Sequence, residues 1–192
     1  MLLSLVTPPA ETPVSLNEAK AHLRVEHTDE DALINGLIAA ATAEIDGRDG
    51  YLRRALVTQT WDYWLPRFPL ARRILIPMPP LRDVVSIKYL DGNNLEQTFA
   101  AENYEVVGND EQGYVALNIA SSWPLTYDRE KAVTIRFEAG YGEAKDVPVN
   151  VRQGILLRVA DLYMNRGDES ASPELNTAVK RLYAPSRRVV LA

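Results

Sequence analysis

The sequence predicts an α+β fold: mainly a helical bundle, two helices near each end of the chain, with a β-rich insertion between them. Three observations predict it. Apolar residues recur at helical spacing over 15–50. The period changes to two, with β-branched and aromatic residues, over about 55–140. Helical spacing returns at 147–184. The organisation read from this is an extended leader at 1–14, one domain at 15–185 and a C-terminal tail at 186–192. Within that domain the helical core takes 15–50 and 147–184.

The leader carries Pro8, Pro9 and Pro13. Its Leu2, Leu3, Leu5 and Val6 are apolar and need a surface to lie along. The segment is short and lacks a basic start, so no signal peptide is read. The first helix starts at Ser15, which forms the S-x-x-E capping box with Glu18. Leu16, Ala19 and Leu23 follow at helical spacing. A second helix is expected near Thr28, with Asp29, Glu30 and Asp31 in its first turn, where the helix dipole favours negative charge. Leu33, Ile34, Leu37, Ile38, Ala41 and Ile45 make its stripe, and Gly47 and Gly50 end it.

Alternation then runs through Val57, Gln59, Trp61 and Tyr63. Ile74 to Ile76 is a short apolar run stopped by Pro77, Val84 to Leu90 alternates again, and short strands are expected at 95–99, 103–107, 113–119 and 132–138. Asp91-Gly92 marks a hairpin. Gly140-Tyr141-Gly142 marks a turn from strand to helix that uses positive φ. After Asp146, Pro148 suits a helix's first turn. Val151, Ile155, Val159 and Leu162 form the third stripe, ended by Gly167 and Asp168. Ser172-Pro173-Glu174 restarts a fourth helix, with Leu175, Ala178, Val179 and Leu182 inward, and Pro185 stops it. Neither helix pair buries its stripes alone, so the pairs are expected to pack together.

Composition narrows the function. The chain has 192 residues, 46% hydrophobic and 24% charged, which suffices for a core without covalent staples. With no cysteine, disulfides and thiolate metal sites are excluded. A net charge of -5 is the wrong sign for a protein that chiefly grips phosphates. No apolar run approaches the roughly 18 residues of a membrane span.

Catalytic chemistry finds little support. A nucleophile needs an adjacent base. The only histidines, His22 and His27, sit on an acidic stretch, and no G-x-S-x-G elbow exists. His22 with Glu26, or His27 with Asp29 and Asp31, offers metal ligands on one face, but a solvated acidic helix explains the same residues. Asp91-Gly92-Asn93-Asn94 looks like half a calcium loop, but Glu96 comes too early for its closing ligand. The expectation is no enzyme, no cofactor and no metal. Arg53-Arg54, Arg72-Arg73, Lys180-Arg181 and Arg187-Arg188 are basic pairs that suit DNA, an acidic partner or plain solvation. The last pair opens a tail, Arg187, Arg188, Val189, Val190 and Leu191, suited to adding a strand to a partner's sheet or to folding back on its own domain.

The order of these landmarks resembles the head–tail connector (adaptor) proteins of tailed phages and gene transfer agents. The likeness runs from about residue 11 to about residue 188. It opens with P-V-S-L-x-E-A-K-x-H-L-R-V at 13–25, then acidic residues and D-x-L-I at 29–34. Gln59-Thr60-Trp61, the I-x-L-P-x-x-P-like stretch at 74–80 and S-I-x-Y-x-D-G at 86–92 follow. Then come Trp123-Pro124, A-G-Y-G at 139–142, Val147-Pro148, Y-x-N-R at 163–166 and P-x-R-R at 185–188. Where the family close often reads P-Y-R, Ser186 replaces the aromatic.

This resemblance implies a structural subunit that forms a ring, usually of twelve, under the portal protein. The ring extends the DNA channel and gives the tail a docking platform. The implied partners are the portal, a tail-side stopper protein and further copies of the chain. DNA passes without sequence-specific binding, and no membrane is involved. The implied location is the virion's head–tail interface, after synthesis in the host cytoplasm. The alternative is a DNA-binding packaging protein such as a small terminase subunit, with the first two helices reading DNA. The acidic stretch at 26–31 argues against it.

Overall fold

The computed structural model describes residues 2–108, 110–166 and 174–188. The class is α+β. The chain divides into two compact units: Met1–Ala10 with Thr58–Tyr141, and Glu11–Val57 with Gly142–Ala192.

Among the described residues the first unit holds eight strands. Alternating β-formers give β1 (Leu2–Thr7), β2 (Gln59–Leu65), β3 (Arg73–Leu75), β4 (Leu81–Leu90), β5 (Glu96–Thr98), β6 (Tyr104–Val107), β7 (Tyr114–Leu117) and β8 (Val133–Ala139). Five form an antiparallel sheet in the order β1-β2-β8-β4-β5, and three form a second sheet, β3-β7-β6. The apolar segment read as a leader supplies the edge strand β1, with Leu5 opposite Trp61 and Leu3 opposite Tyr63. One face of the large sheet buries Trp61, Tyr63, Ile87, Ile135 and Phe137. Period-two alternation puts polar groups on the other face. There Arg136 donates two 2.8 Å hydrogen bonds to the Asp62 carboxylate from the facing strand.

The hairpin between β4 and β5 has an identifiable cause. The Asp91 carboxylate accepts from the amides of Asn93 (2.9 Å) and Leu95 (3.1 Å) and from the Gln97 side chain (2.9 Å). These bonds lower its pKa, the Leu95 amide foremost. A carboxylate so occupied is a turn device.

The second unit holds the helices α1 (Leu16–Leu23), α2 (Asp31–Ala43), α3 (Val149–Met164) and α4 (Thr177–Tyr183). α3 packs against α1, α2 and α4. The capping box at Ser15 is present: its hydroxyl accepts from the Glu18 amide at 3.3 Å, and the Glu18 carboxylate accepts from the Ser15 amide at 2.9 Å.

Three helix starts differ from the sequence expectation. α2 begins at Asp31, because the Asp31 amide closes a turn onto the Thr28 carbonyl (3.1 Å). Pro148 is the N-cap of α3 and lies just before its first turn, while Asp146 and Glu143 cap a separate 3-10 turn at Ala144–Asp146. α4 begins at Thr177, capped by Asn176, whose side chain accepts from the Val179 amide at 2.9 Å. The expected stop at Gly167-Asp168 and the restart at Ser172-Pro173 lie outside the described residues. Gly140 and Gly142, at φ 130 and 136, take backbone angles that side chains disfavour.

Gly154 shows how tightly α3 and α4 meet. A Cβ placed there would stand 2.2 Å from the ring of Tyr183, which is fully buried. Gly154→Ala is therefore expected to lose about 1–3 kcal/mol by overpacking, although the same change in an open helix stabilises by up to about 1 kcal/mol. Urea unfolding of the two proteins checks the sign.

Candidate assembly surfaces

The second unit is closed by charged ties between α3 and the N-terminal helices. Arg152 bonds the Glu18 carboxylate and the Pro13 carbonyl (3.1 Å for the carbonyl). Arg158, only 3% exposed, grips Glu44 through two nitrogens at 2.9 Å and Asp161 at 2.8 Å. Arg166 reaches Glu30 at 2.7 Å, and the Tyr163 hydroxyl donates to the same carboxylate. Sequence reading missed these pairs. Arginines at 152, 158 and 166 were legible, but no local signal assigns their partners.

These contacts hold carboxylates in the charged form. Glu18 is lowered first by the Ser15 amide and also by Arg152. Glu30 is lowered by Tyr163 first, then by Arg166.

The His27 ring lies 3.8 Å from Asp29 and 4.0 Å from Glu30, exposed to water. Among the described residues no group of three or more His, Asp or Glu is placed to hold a metal ion. No described helix is long and apolar enough to cross a membrane.

The basic pairs are largely engaged inside the protein. Arg54 is buried. Arg72 donates to the carbonyls of Leu117, Asn118, Ile119 and Ser121. Arg73 lies 4.9 Å from the centre of the Tyr114 ring. Lys180 pairs with Glu174 at 3.1 Å. In the C-terminal tail, Arg187 sits 4.4 Å from the centre of the Tyr51 ring, and the Arg188 amide donates to the Leu52 carbonyl at 3.1 Å. Burial, then nearby Arg54, lowers the Arg188 pKa. Ser186 is buried and accepts from the Asn150 side chain at 3.1 Å. Val189, Val190 and Leu191 lie outside the described residues.

Large apolar side chains mark the remaining surface. Leu70, Ile119 and Leu125 are 106%, 99% and 91% exposed. Their loops rest on an aromatic cluster in which Phe68 stacks on Trp123 at 4.9 Å and Phe99 lies 5.2 Å from the same indole. The Trp123 indole N–H donates to the Ala71 carbonyl at 2.9 Å.

Residues 13–78 match the family described as Phage gp6-like head-tail connector protein. The resemblance to head–tail connectors read from the sequence therefore holds. No curated protein sequence matches the chain. Among solved structures, the fold is similar to a chain in the neck of an empty GTA particle computed with C6 symmetry. There the TM-score is 0.81 at 24% identity, covering 100% of this chain and 98% of that one. A chain in the virion of a native gene transfer agent particle gives 0.80 at 24% identity, with the same coverage. A chain in the neck of a native GTA particle computed with C12 symmetry gives 0.78 at 23%, again with that coverage.

Two outcomes test the charged ties. Arg158→Met strands Glu44 and Asp161 and is expected to cost about 2–3 kcal/mol in urea unfolding, below the range for a fully buried pair because Glu44 keeps some water. The lowered glutamates contribute stability above the ordinary value of 4.5, lost as pH falls through their lower folded values. The thermal midpoint should therefore drop in acid below about 4.5, and Glu18→Gln should flatten that limb.

Proposed function

We propose that this chain is a structural head–tail connector subunit, assembling as a ring under a portal protein, extending the DNA channel and giving the tail its docking platform. The observation that carries this reading is a coincidence of two findings. The connector-family match falls on the N-terminal helices and first strands, residues 13–78. The whole chain, in turn, follows the fold of proteins in gene transfer agent particles and their necks. Two of those neck structures were computed with C6 and C12 symmetry. On this reading twelve copies stand around one axis, and a tail-side stopper protein follows below.

The role is mechanical and not enzymatic. The four helices form the bundle that makes ring contacts, and the β-rich unit faces neighbours or the tail side. A chain of net charge -5 suits a channel wall that repels phosphates and lets the genome slide without sequence-specific binding. The protein works in the virion after synthesis in the host cytoplasm.

The tail from Arg187, through Arg188, Val189 and Val190 to Leu191, is the proposed portal contact. Ser186 and Arg188 hold the unit's own surface, so the informative truncation removes only 189–192. The full chain mixed with the portal protein of the same particle is expected to add about a dozen subunits by mass photometry, as a closed ring requires. The truncated chain should stay folded and lose that gain. Undiminished binding would remove the tail from the contact. Failure of the full chain to associate at micromolar concentration, with steeply salt-dependent binding to duplex DNA, would favour a packaging protein of the small-terminase kind.

A further inference from the structure

A closed ring needs two different surfaces per subunit that fit each other, because its contacts run head to tail. The first surface is the loop tip of the β-rich unit. Leu70, Ile119 and Leu125 stand almost wholly in water. Large apolar groups exposed together mark an interaction site, and they stay together when the backbone beneath them is fixed. Here it is fixed. Arg72 ties its own loop to four carbonyls of the 117–121 loop, and Trp123 ties that loop back to Ala71. The tip is also basic. Residues 66–73 carry Arg67, Arg72 and Arg73 and no acid, and residues 117–127 carry no charge; exposed Glu102, whose carbonyl accepts from the Asn118 side chain at 2.7 Å, is an acid beside them.

The second surface is the solvent side of α2. An exposed helix face is ordinarily charged. From Ala32 to Ala43 this helix has no charged residue; its exposed residues are Ala32, Leu33, Asn35, Gly36, Ala39, Ala40 and Ala43, with Leu37 half-buried. A side chain added at Gly36 meets nothing within 4 Å. The N-terminal end of this face is acidic. Glu30 is held by Arg166 and Asp31 by Lys20; Glu26 is exposed, and so is Asp29, which lies 3.8 Å from the His27 ring.

We infer that the apolar, basic tip around Leu70 and Ile119 of one copy docks on the uncharged face of α2 in the next copy. Arg67 and Arg73 then face Glu26 and Asp29. The occupant of the α2 face is thus a second copy of this chain, argued from matched apolar surface and opposite charge. The inference rests on the connector reading and deepens it by naming the ring contact.

The chain has no cysteine, so engineered disulfides report this contact alone. Ile119→Cys protein is oxidised gently with Leu33→Cys protein, free and on the portal. Heterodimers should exceed the homodimers of either parent several-fold, and a chain carrying both changes should give a ladder ending in a closed ring. Ile119→Cys with Leu95→Cys, on the β4–β5 hairpin, sets the background. The double change Arg67→Glu with Arg73→Glu should cut the heterodimer yield several-fold, and adding Glu26→Lys with Asp29→Lys should restore it. Cross-linking no better than background, or Ile119→Cys pairing as readily with itself, overturns the proposed contact. If the portal still gathers about a dozen copies without a ladder, the contact is wrong and the connector reading survives. A ladder without portal recruitment has the opposite meaning.

Discussion

The second unit depends on one constraint: α3 has no complete surroundings until helices from the other end of the chain arrive. Val151, Ile155 and Val159 are fully buried on it, against α1, α2 and α4. Arg158 sits among these apolar residues at 3% exposure. A buried guanidinium is costly unless its donors are matched, and Glu44 and Asp161 match them. Arg152 and Arg166 repeat the arrangement near the two ends of α3 with Glu18 and Glu30. The three ties to glutamates each join residues more than a hundred positions apart, so they hold the two halves of this unit together.

The β-rich unit follows a different logic. Its large sheet is antiparallel throughout, with one buried face and one polar face, and the register is held by burial. Residues 2–7 complete that sheet as an edge strand, which accounts for the apolar leucines at the start of the chain. The aromatic cluster under residues 66–73 and 117–127 supplies rigidity where the loops have no regular structure. Rigid loops that present apolar groups to water are a costly arrangement for an isolated subunit. They are economical for one that ends its assembly in contact with other proteins.

Much of this fold was legible in the residues. The capping box at Ser15 and Glu18, the hairpin at Asp91-Gly92 and the glycine turn at 140–142 are local devices, so their residues declare them. The strands after residue 57 were placed within a few residues because alternation is also local, whereas β1 was read as an extended leader. The helix starts drifted where a competing interaction decided them. The Asp31 amide closes a turn onto Thr28 ahead of α2, and Asp146 caps a 3-10 turn of its own. The basic pairs read as surface charge were mostly not free: Arg54 is buried, and Arg72 is spent on four carbonyls.

By itself, then, the sequence determined the α+β class, the order and kind of the elements, and the resemblance to head–tail connectors. All of these rest on periodicity, caps and motif order, which act over a few residues at a time. Only the tertiary structure decided which glutamate meets which arginine, that residues 2–7 pair with β2, and that Leu70, Ile119 and Leu125 are left in water. Those outcomes depend on contacts between residues far apart in the chain. A pattern in one segment carries no record of the partner that another segment brings to it.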